Sequence, residues 1–170
     1  MRPRGEWLAA ALLIGTLLIS GCNPFAPRLE EHATTGSFGD PHTIPGYLEA
    51  FKYAYEFRDT SLYGALLAPD FTFSYRNYDR GVDVEWGRDD EMRSTAGLFA
   101  GTDGLSLLWG TVFDSSGTAT VYDLTISFSL DVTFNAADVE HVDGRAIFHL
   151  ERATPGDPWR ATRWQDASTL

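Results

Sequence analysis

Residues 121–134 read Val-Tyr-Asp-Leu-Thr-Ile-Ser-Phe-Ser-Leu-Asp-Val-Thr-Phe. Tyr122, Leu124, Ile126, Phe128, Leu130, Val132 and Phe134 take every second place, with Asp123, Thr125, Ser127, Ser129, Asp131 and Thr133 between them. Successive side chains of a strand point to opposite faces, so a period of two predicts one long strand with one face packed and the other in water. Such a strand needs partners. Leu105 to Phe113 before it and the residues around Ala146 to Arg152 after it predict antiparallel neighbours. Asp143-Gly144 reads either as a tight turn or as a bulge within a longer strand. Pro155-Gly156-Asp157 then turns the chain into a last strand, Trp159 to Asp166.

Toward the N-terminus the period changes. Pro45 opens a helix in which Tyr47, Leu48, Phe51, Ala54 and Tyr55 recur at helical spacing as far as about Phe57. A second, short helix has Asp59 or Thr60 as its N-cap and Leu62, Leu66 and Leu67 on its inner side; Ala68-Pro69-Asp70 breaks it. Phe71, Phe73 and Tyr75 alternate with Thr72 and Ser74 in a strand, and Val82 to Trp86 forms a second extended piece. Asp89-Asp90-Glu91 is the acidic first turn of a third helix, favourable against its dipole, with Met92, Ala96 and Phe99 on one face. Gly101 and Gly104 end it.

Helices followed by a meander of strands make an α+β domain, with helices packed on one face of a curved sheet. Several short stretches then show a resemblance: Leu66-Leu67-Ala68-Pro69-Asp70-Phe71-Thr72-Phe73, Trp86-x-Arg88-x-x-Glu91, and Trp159-x-Ala161-x-x-Trp164-x-Asp166. In this order, from Thr43 to Ala167, they resemble the nuclear transport factor 2-like superfamily, and within it the SnoaL-like branch. The resemblance implies a cone of strongly bent antiparallel sheet whose helices close a pocket. It admits isomerases, dehydratases, cyclases and epoxide hydrolases, and also members that only bind or scaffold. Relatives of this kind often dimerise through the outer sheet face. Here that face of residues 121–134 carries Asp123 and Asp131, so apposing two copies would bury like charges, and a monomer is expected.

Candidate chemistry is sparse. In the ketosteroid isomerase-like relatives, the positions matched without a gap place the oxyanion tyrosine at Phe51 and the general base at Tyr75. Phe51 donates no hydrogen bond, and a tyrosine is a poor base at neutral pH, so that mechanism is disfavoured. Asp123, His149 and Asp166 stand on later strands where an inward base would have to lie. Asp166, beside Arg163, reads as a carboxylate paired with an arginine, or as a pocket acid; His149 reads as exposed, or as a pocket base. Arg88 and Glu91 read as a helix-start pair that pins a loop over the pocket mouth. Tyr55, Tyr75, Trp86, Met92, Trp109 and Trp164 are the candidates for lining a pocket, against the plainer reading of aromatic core. His32, His42, His141 and His149 show no metal-ligand spacing, and neither a phosphate-binding glycine loop nor a Gly-x-Ser-x-Gly elbow is present. No cofactor is expected. A non-catalytic domain that binds a small apolar ligand or a protein partner is the favoured function; the alternative is a SnoaL-like enzyme acting on a hydrophobic molecule through His149 and Asp166.

The first residues carry an address. Arg2 and Arg4 precede an apolar run from Leu8 to Ile19, closed by Ile19-Ser20-Gly21-Cys22. That is a basic segment, an apolar segment too short to span a bilayer, and a small-residue cleavage site. Residues 19–22 resemble the lipobox of bacterial lipoproteins, which implies cleavage before Cys22 and a diacylglycerol on its sulfur. The expected organisation is a signal peptide over 1–21, a Pro- and Gly-punctuated tether over 22–42 and a domain over 43–170. Asn23 rather than aspartate after the lipidated residue points to the outer membrane, with the domain facing the periplasm. Loss of Arg2, Arg4 and Glu6 moves the formal charge from −11 to −12, and so acidic a surface repels nucleic acid. Cys22 is the only cysteine, so no disulfide supports the domain. Cys22→Ala is expected to accumulate an unprocessed precursor that takes up no fatty-acid label in cells; labelling equal to wild type would refute the anchor.

Overall fold

The computed structural model describes residues 39–168. The signal segment, Cys22, His32 and most of the tether lie outside the described residues. In chain order the elements are α1 Ile44–Glu56, α2 Thr60–Ala65, β1 Leu67–Asn77, β2 Val82–Gly87, α3 Arg88–Ala100, β3 Gly104–Gly117, β4 Val121–Asn135, β5 Asp138–Glu151 and β6 Arg160–Asp166. No helix among the described residues is long and apolar enough to cross a membrane.

The helix starts follow from their caps. Thr43 is extended, and its hydroxyl accepts the Gly46 N–H at 3.1 Å, while Pro45 sits in the first turn of α1, where a missing N–H costs nothing. Of the two candidates, Asp59 caps α2, accepting from the N–H groups of Ser61 and Leu62 at 2.9 Å. Tyr63 and Gly64 are the buried residues of α2 itself; Leu66, its C-cap, and Leu67, already in β1, are buried as expected, and Leu62 packs against the core.

Six strands form one sheet in the order β2-β1-β6-β5-β4-β3. Neighbours are antiparallel except β1 and β6, which run parallel, so the last strand of the chain sits between β1 and β5. Ala68-Pro69-Asp70, expected to break α2, follows a helix that already ends at Ala65. The segment lies within β1, where the pairing with β6 jumps from Leu67↔Ala161 to Thr72↔Arg163. Proline has no N–H for a ladder, and the irregular stretch is where the strand tolerates it.

β4 carries its alternation as expected over most of its length. Leu124, Ile126, Phe128 and Val132 are buried, but Phe134 is exposed, because the β4–β5 hairpin runs on past the core. Asp143-Gly144 is neither a turn nor a bulge: β5 is one strand, paired with β4 in unbroken register from Val121↔Glu151 to Thr133↔Val139. Gly144 is needed there for space. It faces Phe128, and an added Cβ would lie 2.6 Å from that ring and 1.9 Å from the Ser168 hydroxyl.

The outer face of β4 and β5 is polar and paired across the strands. His149 Nδ1 lies 2.5 Å from Asp123 and its Nε2 3.1 Å from Glu151, while His141 Nδ1 lies 2.6 Å from Asp131 and its Nε2 3.2 Å from Asp143. Hydrogen bonds to Asp131 and Asp143 hold the His141 pKa above its usual 6.5.

Gly144→Ala is expected to lower stability by about 1–3 kcal/mol through overpacking against Phe128 and Ser168. Urea unfolding measures it, and an unchanged midpoint would show that the C-terminal segment yields freely.

Candidate functional site

The inward faces of β1, β3, β4, β5 and β6 meet α1 over a core dominated by aromatic rings. Phe51 is its centre, with six rings around it at centroid distances from 5.1 Å for Tyr55 to 6.4 Å for Tyr47. Trp109 reaches across from β3, and its indole N–H donates to the Leu48 carbonyl at 2.8 Å, tying the edge strand to α1. Between these rings lies a cavity of about 130 Å³. Its walls are the rings of Phe51, Tyr55, Phe73, Trp109, Phe128 and Trp164, with Leu107, Leu130 and Val142 filling the gaps. The one ionisable carboxylate is Asp166.

Asp166 is half-buried, and its Oδ1 accepts from the Ser168 N–H at 2.9 Å and from the Ser168 hydroxyl. The expected pair with Arg163 does not form. Three residues apart on a strand is an odd spacing, so Arg163 is exposed on the outer face while Trp164 and Asp166 turn inward. No cation among the described residues lies within ion-pairing distance of Asp166. The carboxylate also borders a second, outer cleft of about 250 Å³, walled by Tyr75, Arg76, Asn77, Tyr78, Asp79 and Ser168. Asp166 therefore belongs to the walls of both an apolar chamber and a polar cleft, and its carboxylate marks the throat.

A second buried carboxylate lies beneath α3. Glu91 is 4% exposed, and it does not pair with Arg88, whose guanidinium instead donates to the Gly64 carbonyl at 2.9 Å. Glu91 Oε1 accepts from the Tyr63 hydroxyl at 2.6 Å and the Thr95 hydroxyl at 3.0 Å, and Oε2 accepts from the Trp86 indole at 2.7 Å. One side chain thereby joins α2, β2 and α3. The buried stripe of α3 is Glu91, Thr95 and Phe99, with Met92 at its border and Ala96 only half-buried, a shift of one position from the sequence expectation. Burial first, and then the neighbouring Glu91, push the Tyr55 hydroxyl well above its ordinary pKa; burial, Tyr55 and Glu91 do the same to Tyr63. Both stay protonated donors at any physiological pH.

The pocket candidates separate into four places. Tyr55, Trp109 and Trp164 line the inner chamber, and Tyr75 lines the outer cleft. Trp86 stacks on Phe73 at 4.6 Å and is held by Glu91, which makes it a wall behind the chamber. Met92 borders a surface groove with Arg88, Asp89 and Arg160. His149 and Asp123, considered as inward bases, face outward and bind each other, because inward Phe148 and Leu124 flank them by alternation. Asp166 alone of the candidate acids and bases reaches the chamber. Phe73, Leu107, Phe128, Leu130 and Val142 also line it, and all but Val142 lay on alternating faces visible in the sequence.

No protein-family model and no curated protein matches this sequence. Solved structures do match. A protein from Novosphingobium aromaticivorans provisionally named a scytalone dehydratase superposes with a TM-score of 0.64 at 14% identity, over 75% of this chain and 82% of that one. A provisionally named dehydratase of the NTF2-like family from Streptomyces avermitilis gives 0.58 at 18% identity, over 73% and 92%. An NTF2-like superfamily protein from Salmonella enterica gives 0.57 at 14%, over 73% and 87%. The fold is thus the α+β cone of the nuclear transport factor 2-like superfamily. At these identities the likeness is one of fold.

Glu91→Ala is expected to cost about 3 kcal/mol, since it strands three buried donors, and Glu91→Gln about half as much. Urea titration followed by tryptophan fluorescence checks both; a loss below about 1 kcal/mol for the alanine variant would show that water replaces the carboxylate.

Proposed function

We propose that this chain is a lipid-anchored bacterial envelope protein whose NTF2-like domain binds a small apolar ligand without transforming it. The observation that carries the binding is the inner chamber. Nine apolar side chains and a single carboxylate surround about 130 Å³. An apolar cavity of roughly 150 Å³ is enough to take up benzene, so the chamber suits a molecule about the size of one aromatic ring. Larger substrates need pockets of about 300 Å³ or more. The anchor rests on the residues that lead to Cys22, and the outer membrane on Asn23. On this reading the domain hangs in the periplasm as a monomer, its outer face kept apart from a second copy by Asp123, Asp131, Asp143 and Glu151.

A proton-transfer reaction calls for a base and a donor placed on one substrate. His149 and Asp123 are turned away from the chamber, and Phe51 has no donor to offer, which supports binding alone. One observation favours a second reading. Tyr55 and Asp166 line the same chamber, so a carboxylate stands there beside a tyrosine whose hydroxyl joins the Tyr63 and Thr95 network, and an isomerase or dehydratase would draw its base and donor from such a pair.

Titration with toluene is expected to quench tryptophan fluorescence saturably, and Val142→Phe, which fills the chamber, to abolish the effect in a folded protein. No quenching in wild type would overturn ligand binding. Turnover of a model enone that is lost in Asp166→Asn would replace the binding reading with the enzymatic one.

A further inference from the structure

The chamber's polar chemistry names a narrower ligand class than apolarity does. Two polar groups stand near its wall besides the tyrosine: the Trp164 indole and the Asp166 carboxylate. The Trp164 N–H has no hydrogen-bond partner and almost no accessible surface, so it is enclosed by neighbouring rings and does not open on the chamber. Phe51 lies edge-to-face with that indole at 5.5 Å and Phe73 at 4.9 Å. A ligand in the chamber is therefore met by one strong acceptor, Asp166.

That acceptor is uncompensated. Asp166 has no ion pair among the described residues, and Ser168 supplies both of its hydrogen bonds to the same oxygen, Oδ1. A half-buried carboxylate with no cation beside it attracts one, and a charge-assisted hydrogen bond there is stronger than a neutral one. Beyond the throat, the outer cleft adds Asp79, and its one cation, Arg76, is already paired with Asp83 at 3.0 Å. The cleft's field thus favours positive charge, and the chain's formal charge of −11 adds to it at longer range. Aromatic walls favour a cation further when it approaches a ring face.

We propose that the site takes a small aromatic amine, its ring in the apolar chamber and its ammonium group at the throat, donating to Asp166. This rests on the ligand-binding reading and narrows it. The ring matches the chamber's volume, while the ammonium keeps contact with the wetter outer cleft, so neither end of the ligand is buried against its nature.

Three probes of one shape and different charge test it: benzylamine, which is protonated at neutral pH, benzyl alcohol and benzoate. Each is titrated by calorimetry into the full-length chain in detergent, with empty micelles subtracted. Benzylamine is expected to bind at least about tenfold more tightly than benzyl alcohol, as a charge-assisted hydrogen bond allows, and benzoate not to bind. Asp166→Asn should remove benzylamine's advantage and bring the two affinities together. Benzyl alcohol binding as tightly as benzylamine to wild type would overturn the amine and leave apolar binding standing. No binding of either would overturn both. The wild-type comparison decides the matter even where the asparagine variant fails to fold.

Discussion

The ring of Phe51 is buried and surrounded by other rings. Tyr55 stacks on it at 5.1 Å, and Tyr63, Trp109, Phe148 and Trp164 meet it edge-on between 5.5 and 5.7 Å. These rings come from α1, α2, β3, β5 and β6, so one side chain on α1 sets the distance between the helix and three strands of the sheet. Rings prefer offset and edge-on contacts over face-to-face ones, and the chamber lies among rings packed in this way. Its wall and the core are the same residues, and the pocket's shape is as rigid as the fold.

Glu91 does for the other end of the domain what Phe51 does for the middle. A buried carboxylate without a cation is expensive unless its oxygens are satisfied, and here three neutral donors from three elements satisfy them. The indole of Trp86, held this way, is the backing on which Phe73 stacks. α3 has a polar buried stripe, so its attachment depends on direction as well as on burial.

The period of two in residues 121–134, the order of helices and strands, the helix opening at Pro45 and the choice of Asp59 or Thr60 as the α2 cap were all legible because they are local. What failed was non-local. Arg88 and Glu91 are adjacent on a helix start, and only the arrival of Tyr63 and Trp86 from elsewhere shows why Glu91 turns inward. Asp143-Gly144 has turn chemistry in isolation, but the facing Phe128 assigns the glycine to a continuous strand. Arg163 and Asp166 tempted a pairing that strand alternation forbids. At the site, Tyr55, Trp109 and Trp164 were found among aromatics flagged by type, whereas Trp86 and Met92, flagged alike, stand outside the chamber, because residue type alone does not say which side of a wall a ring occupies.

The parallel pairing of β1 with β6 carries a consequence for how the chain is made. β1 and β2 form one hairpin, β3, β4 and β5 form a meander, and within the sheet the two are joined through β6. Until residues 160–166 are available, both halves expose an unpaired edge toward each other. The hairpin and the meander can each pair internally before then, but the six-stranded sheet is not continuous until β6 joins them. β6 is thus the strand whose arrival turns two separate pieces of sheet into one.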